Sequence, residues 1–481
     1  MAVTGVVRKS PFDSGGENTP SRNVALEILG ITLLASALVL VRFKLNDDLQ
    51  LFVYSLIALI YIVLIFKNIT YGTIIMIVAI GISPDSVGSN NVRYEDYLFP
   101  PLLIIWWFQR LNNQEPLIAS EVNKSIKLYM LIVAIATIKG IFMRTVYSDF
   151  LAYAFCYKYI EYFVMFWFIY NSVRSKEDVV LILIAAFVTC TFVAYIAYTG
   201  RAAHIEETGL SFSRASGPEG ETPNILGGYY MMNIMLGFAI LFSVKNYIYK
   251  LIMLAFLVAV AVPLLYTYSR TSFASLLIGL VVTSLFIDLR FFIVLIILSF
   301  LAPLFFPVAS FIDESFVDRY SSILDIFGDS SKGPSSWKAR VSGWGVFVWG
   351  TWNSHPILGR GVGSVGLNID GSYIKKFVET GIVGFVAFAL ILNRLGRVGL
   401  DNIRLSTDNF LKSYCIGYLG AFCGMLVHAI GVSSFSTIRT AEPFWIFSGL
   451  MVASGFIMKK AKELEEEEEE DWGQLSFVNK K

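Results

Sequence analysis

Charge is scarce in this 481-residue chain: Asp, Glu, Lys and Arg make up 16% of it, against about 25% in an ordinary soluble protein. The net charge is +1, and no basic stripe interleaved with aromatics occurs, so nucleic acid is excluded as a partner class. The four cysteines (Cys156, Cys190, Cys415 and Cys423) all lie inside apolar runs. They form neither a disulfide framework nor a paired zinc spacing and read as packing residues. His204 and His428 have no spaced partner that suggests a metal, and each reads as a satisfied structural histidine. The chain has no Walker motif, no Rossmann glycine pattern, no Gly-x-Ser-x-Gly and no His-Glu-x-x-His. No cofactor or metal is implied by what remains.

What is abundant is apolar surface, with 56% hydrophobic residues and a mean hydropathy of +0.63. Apolar runs recur along almost the whole length, each bounded by Lys, Arg, Pro or Gly, and a helix needs about 20 residues to cross the hydrocarbon core. The pattern predicts an all-α polytopic membrane protein with about fourteen transmembrane helices. The expected spans are 24–41, 49–66, 69–82, 97–109, 126–142, 150–170, 179–198, 224–243, 251–267, 272–287, 291–307, 377–393, 412–430 and 442–458. Runs 69–82 and 97–109 are short and suit re-entrant segments as well as crossings. The weak cleavage-like Ala35-Ser36-Ala37 sits inside the first run rather than after it, so that run reads as an uncleaved anchor.

Orientation follows from Lys and Arg. With residues 1–23 as a cytoplasmic tail, the inside loops collect Arg8, Lys9, Lys67, Arg110, Lys124, Arg174, Lys176, Lys250, Arg394 and Arg404, whereas short outside loops hold far fewer. The expected organisation is helices 1–11 over 24–307, one large extracytoplasmic loop domain over 308–376, helices 12–14 over 377–458, and a cytoplasmic tail over 459–481. That tail carries the acidic run Glu463 to Asp471, expected to be solvated and disordered. The large loop is too polar for a span and too long for a connector. Its segment Trp337 to Val348 has helical spacing of apolar residues, which predicts an amphipathic helix on the membrane surface.

Candidate chemistry gathers on the outside loops. Arg214 precedes a helix that begins near Asn224, and a guanidinium beside free helix amides suits a diphosphate, although pairing with Glu219 or Glu221 would explain it too. Arg270 sits at a polar break among hydroxyls, where it either lines a cavity or snorkels to the headgroups. Lys158 and Glu161 share one helix face within a span, as a functional site or a self-neutralising pair. The Gly-rich stretch from His355 through Arg360 to Gly363 allows close approach of a ligand or merely tight turns. Asp370 ends the loop where the chain re-enters the membrane.

Taken in order, these motifs resemble the O-antigen polymerase/ligase family of bacterial envelope membrane enzymes. The resemblance covers roughly 93–450. It rests on Arg93-Tyr-Glu-Asp96-Tyr-Leu, Lys158-Tyr-Ile-Glu161, Arg214-Ala-Ser-Gly with Pro223-Asn224, Ser269-Arg270-Thr, Arg340 with Trp344, Gly359-x-Gly361-x-Gly363, and Asp370-Gly-Ser-Tyr373 followed by Glu379-Thr-Gly381. It implies glycosyl transfer from an undecaprenyl-diphosphate-linked oligosaccharide on the periplasmic face of the inner membrane, with inversion. The partners implied are that lipid-linked glycan, the bilayer, and chain-length regulator or flippase proteins. Asp370 would be the catalytic base, with Arg214 and Arg270 stabilising the leaving diphosphate. Arg93, Asn224, Arg340, Arg360, Tyr373, Glu379 and Lys158 would bind substrate. Ligases of the family carry His-Asn where this chain has Asp370-Gly371, which is closer to the Asp-Asn-Ser-Tyr form of polymerases, with Gly371 departing from both. Ligase-type transfer to a lipid or protein acceptor is the nearest alternative. A transporter is a further one, although no internal repeat is visible.

The charge asymmetry makes a direct prediction: in a chain with Ser216→Cys or Ser330→Cys, an impermeant thiol reagent applied outside labels the new cysteine, whereas Ser406→Cys stays unlabelled. Labelling of the Ser406→Cys chain alone would invert the topology.

Overall fold

The computed structural model describes residues 47–83, 93–208, 213–218, 222–293, 297, 335–366, 369–405 and 407–478. The first expected span (24–41), nearly all of 291–307 and the first part of the large loop (308–334) lie outside the described residues. Among the described residues there are thirteen bounded α-helices, a further helical stretch from 289 to 293, and no strands. In chain order they are α1 (Asp47–Lys67), α2 (Ile69–Ile82), α3 (Tyr94–Asn113), α4 (Val122–Phe142), α5 (Asp149–Ser172), α6 (Lys176–Thr208) and α7 (Pro223–Ser243). They continue as α8 (Tyr247–Tyr266), α9 (Arg270–Ile287), α10 (Ser335–Ser354), α11 (Ser372–Leu405), α12 (Asn409–Gly431) and α13 (Ile438–Val478).

Eight of the described helices are long and apolar enough to cross a membrane: α4, α6, α7, α8, α9, α11, α12 and residues Ile438–Glu467 of α13. The chain is therefore an all-helical polytopic membrane protein. Four expected spans form helices outside those eight. α2 has only 14 residues and is buried almost throughout, and the apolar described part of α1 is a short stretch, Leu56–Lys67. α3 carries Glu95, Asp96 and Arg110, and α5 carries Asp149, Lys158 and Glu161.

Local chemistry sets the ends. Side chains of Asn68, Ser148, Ser269 and Asp408 accept from amides of the first turns of α2, α5, α9 and α12, satisfying donors that have no partner within a helix. Pro223 opens α7 at a position where its missing N–H is not needed. Inside the bundle, α7, α9 and α12 pack on one another through small residues on α12. A Cβ added at Gly417 would lie 2.9 Å from Met235 O, one at Gly420 2.9 Å from Gly279 O, and one at Gly424 3.0 Å from Ser275 O. Backbones approach this closely only where side chains are absent, as in other membrane helix pairs.

Two expectations are corrected. Residues 459–478 continue α13 rather than forming an irregular tail: Lys459–Glu463 (3.7 Å) and Lys462–Glu466 (3.6 Å) are i,i+4 pairs in a run of good helix formers. The helix expected from 377 begins at Ser372 and is broken at Gly381 (φ 66°, ψ −168°). The helix expected over Trp337 to Val348 is present as α10.

The break in α11 is filled by the Gly-rich segment. Ile382 N donates to Pro356 O (2.9 Å), Val383 N to Ile357 O (3.3 Å), Arg360 N to Val378 O (2.8 Å) and Gly361 N to Glu379 O (2.9 Å). Gly359 is required there on two counts: its φ is +65°, and a Cβ would lie 2.5 Å from Glu379 C and Gly381 N. Gly359→Ala should therefore lower the thermal midpoint in detergent by several degrees more than Gly366→Ala. Gly366 has a similar φ of +55° but open space around it, so its substitution costs only about 1–2 kcal/mol of backbone strain. Equal losses in the two variants would mean that the interlock contributes nothing.

Candidate functional site

Three chain reversals meet at one end of α7, α9 and α12. The 213–218 segment is tied to the α8–α9 junction by Ala215 N to Tyr266 O (2.8 Å). Arg214 Nε donates to Thr267 O (2.7 Å), and its Nη2 donates to Asn224 Oδ1 at the start of α7 (2.8 Å). The junction itself is tight: Tyr268, fully buried, has a φ of 49°, a conformation that a bulky residue adopts only under constraint. Ser269 then caps α9, and Arg270, half-buried, is the first residue of that helix.

His428 of α12 knits these pieces together. Its Nε2 lies 3.0 Å from Ser272 Oγ and 3.1 Å from Asn224 O, and its Nδ1 lies 2.7 Å from Ser434 Oγ. It is a satisfied buried histidine, as its sequence context suggested, yet its partners are the segments that carry Arg214 and Arg270.

The third reversal brings Asp370. Arg340 Nε of α10 donates to Asp370 Oδ2 (2.8 Å), and Trp344 Nε1 donates to Asp370 O (2.6 Å). Gly371 has a φ of +103°, and a Cβ there would lie 2.9 Å from Ile430 O and 3.3 Å from the Trp344 ring. One residue on, Ser372 N and Oγ both donate to Val432 O (3.2 and 3.1 Å). Ser433 Oγ donates to Ile369 O (2.7 Å). Asp370 is thus fixed against the end of α12, one reversal away from His428. Thr271, beside Arg270, packs on Gly431 in the same turn. Arg214, Asn224, Arg270, Arg340 and Asp370 are all carried by this cluster. Its charges are only partly covered, with the Asp370 side chain 51% exposed.

The remaining sequence candidates go elsewhere. Tyr373 donates its hydroxyl to Leu426 O (2.8 Å). Glu379 accepts from Tyr159 OH (2.8 Å) and Gly363 N (3.2 Å) and is fully buried. Arg360 lies at the opposite end of α10, over Gly350. Near it, burial and the charges of Lys139 and Arg360 hold the His355 imidazole below its ordinary range.

Arg93 and Lys158 belong to an internal ion network. Arg93 is 1% exposed and bonds Glu95, Ile80 O and Ser83 O. Lys158 is ringed by three carboxylates: Asp96, Glu161 (2.8 Å) and Glu442 (3.3 Å). Arg439 donates to Gly81 O and to Ser83 O (2.7 Å) at the end of α2. Arg439 and Glu442 are hard to see in the sequence, because an apolar run counted from 442 hides the i,i+3 charges at its start. The buried pair Lys375 and Lys376 was missed likewise, although two adjacent lysines just before an apolar run are a legible signal. Lys376 Nζ stands 3.4 Å from the Tyr159 ring centroid, a cation–π distance.

No family model matches this chain, and no curated protein matches it.

The Lys158 network predicts a structural phenotype. Lys158→Met leaves three carboxylates crowded in a buried place, and breaking a buried pair costs on the order of 3–5 kcal/mol. The variant should fail to purify as a monodisperse species or should lose most of its thermal stability, whereas Lys158→Arg should retain it. A Lys158→Met protein as stable as wild type would return Lys158 to the list of substrate ligands.

Proposed function

We propose that the chain polymerises lipid-linked oligosaccharide repeat units, transferring an undecaprenyl-diphosphate-linked glycan to an acceptor sugar hydroxyl at the periplasmic face of the bacterial inner membrane. On this reading the bundle comprises about fourteen crossings, and the segment over 308–376 is a periplasmic loop domain with α10 as its surface helix. The observation that carries the proposal is the convergence of Arg214, Arg270 and Arg340 with Asp370 at one end of the bundle, joined through His428 and the end of α12.

The chemistry suits that set. A diphosphate leaves easily once its charge is offset, and guanidinium groups offset it through charge-assisted, often bidentate, hydrogen bonds. The start of α7 adds amide donors and the positive end of a helix dipole beside Arg214. Asp370 accepts the proton of the attacking hydroxyl. The bond between the anomeric carbon and the diphosphate oxygen breaks as the new glycosidic bond forms on the opposite face, which inverts the configuration. The Asp370 carboxylate is engaged by Arg340 at the start of α11.

The test uses purified protein in lipid vesicles with a lipid-diphosphate oligosaccharide, and gel electrophoresis of the glycans. Wild type should give a ladder. Arg214→Ala and Arg270→Ala should each slow it by at least about tenfold, the effect of one lost charge-assisted contact worth about 1.5–3 kcal/mol. Asp370→Asn should slow single-turnover transfer by roughly 100-fold or more while donor binding survives. One new acceptor band instead of a ladder would make the chain a ligase, and a wild-type rate from Asp370→Asn would remove the base.

A further inference from the structure

The cations that the sequence offers for one diphosphate are divided by α10. Arg340 near its start pairs with Asp370, while Gly350, further along the same helix, is the residue over which Arg360 folds, with Nη2 2.5 Å from the place a Gly350 Cβ would take. The intervening stretch of helix spans about 15 Å. Arg360 is therefore held apart from the Arg340–Asp370 pair.

The place it occupies is uncompensated. The Arg360 guanidinium is half-buried and makes no hydrogen bond or ion pair among the described residues. Lys139 of α4 stands beside it and donates to Gly359 O (2.8 Å), while Thr145 Oγ1 donates to Arg360 O (2.5 Å). The exposed Arg144 lies in that same turn. No carboxylate among the described residues is within ion-pair distance of these three cations, in contrast to Lys158 with its three.

Directly inward from these cations runs an aliphatic groove between α4 and α11, with a volume of about 300 Å³. Leu128 and Ile132 line one side, and Ile382, Val383, Val386 and Leu390 line the other. Its outer end is fixed by the break in α11: Ile382 follows Gly381, Gly381 packs on Gly359, and the Gly359 carbonyl holds Lys139. From Ile382 to Leu390 the groove descends about 12 Å. A cationic head is thus contiguous with a purely aliphatic tail slot, the complement of an anionic lipid with a hydrocarbon chain.

We propose that this is the binding site of the second lipid-diphosphate substrate, the acceptor, with Lys139 and Arg360 on its diphosphate and its first isoprene units in the α4–α11 groove. The inference rests on the polymerase reading, because joining two lipid-linked glycans requires two lipid diphosphates to be held at once. It places the acceptor's sugars along α10, running from Arg360 toward Asp370, while the Arg214–Arg270 cluster holds the donor. The two diphosphates, both strongly anionic, are kept apart by the length of that helix.

A polyprenyl diphosphate without glycan, carrying a diazirine in its first isoprene units, reads binding without turnover. After irradiation with the full-length protein in phosphatidylcholine vesicles, mass spectrometry should find adducts on residues 128–132 and 382–390. The Lys139→Gln/Arg360→Gln double variant should need about tenfold more probe for equal labelling. Val386→Trp, at a half-exposed position on the groove wall, should block the adducts with both cations intact. Groove labelling that is indifferent to the double variant, or that phosphatidylglycerol displaces as well as unlabelled polyprenyl diphosphate, would make the groove an ordinary bilayer contact and overturn the site. The glycan ladder is run on the same preparation. A wild-type ladder with no groove adducts overturns the acceptor site alone. Groove adducts with no ladder overturn the polymerase reading and the acceptor role with it.

Discussion

A helix that breaks inside a bundle leaves backbone donors and acceptors that neither lipid nor apolar side chains can satisfy, so a second backbone segment has to enter the break. In α11 that segment is 356–361, and four main-chain hydrogen bonds lock it to residues 378–383. The lock is possible only because Gly359 and Gly381 carry no side chains where the two strands of backbone touch. Much else is positioned by it. Arg360 and Lys139 are brought to the head of the α4–α11 groove, Glu379 is turned onto Gly363 N and Tyr159, and the chain from Gly361 onward is launched toward Asp370.

Charge inside the bundle falls into two kinds, and the distinction separates scaffold from candidate site. Arg93, Arg439 and Lys158 are enclosed and meet carboxylates or carbonyls on several helices, so they join α2, α3, α5 and α13. A buried ion network of this kind contributes less to net stability than its contacts suggest, but it is costly to break and so fixes the register of the helices it joins. Arg340, Asp370, Arg360 and Lys139 are only partly covered. An ion pair at such exposure is worth about 0–1 kcal/mol, too little to explain its presence by stability.

Periodicity and length made most of the helices legible, since an apolar run bounded by charges has few other ways to satisfy its backbone in a membrane. The runs read at 126–142, 224–243 and 272–287 reappear as α4, α7 and α9 with boundaries shifted by a few residues. The break in α11 was not legible, because Glu379-Thr-Gly381 looks the same whether glycine opens a helix or interrupts one. The helical course of the acidic tail is hidden in the sequence because its charge density masks the i,i+4 spacing of Lys459 and Glu463. At the site, Arg214, Arg270, Arg340 and Asp370 were each visible as polar residues at loop ends, and Asn224 as the start of a helix. Their assembly was not visible, since it depends on His428, whose contacts span 204 residues to Asn224 and 156 to Ser272. Arg93 and Lys158 looked like ligands for the same reason that they are internal: an isolated sequence window shows a charge in a span but not the partners on α13.

On the proposed reading, Asp370 is held in a way that suits a base kept idle until the donor arrives. Its backbone is fixed independently of its carboxylate, by Trp344 Nε1 on its carbonyl and by the Ser372–Val432 contacts just beyond it. Its carboxylate is engaged by Arg340 through an exposed pair. On the proposed reading, an incoming diphosphate competes for Arg340 with far greater charge than a single carboxylate offers. Releasing Asp370 then needs no movement of the main chain, only the turning of one guanidinium. The Arg340 contact to the carboxylate is thereby exchanged for one that stabilises the leaving group. On that reading, binding of the donor and release of the Asp370 carboxylate become the same event.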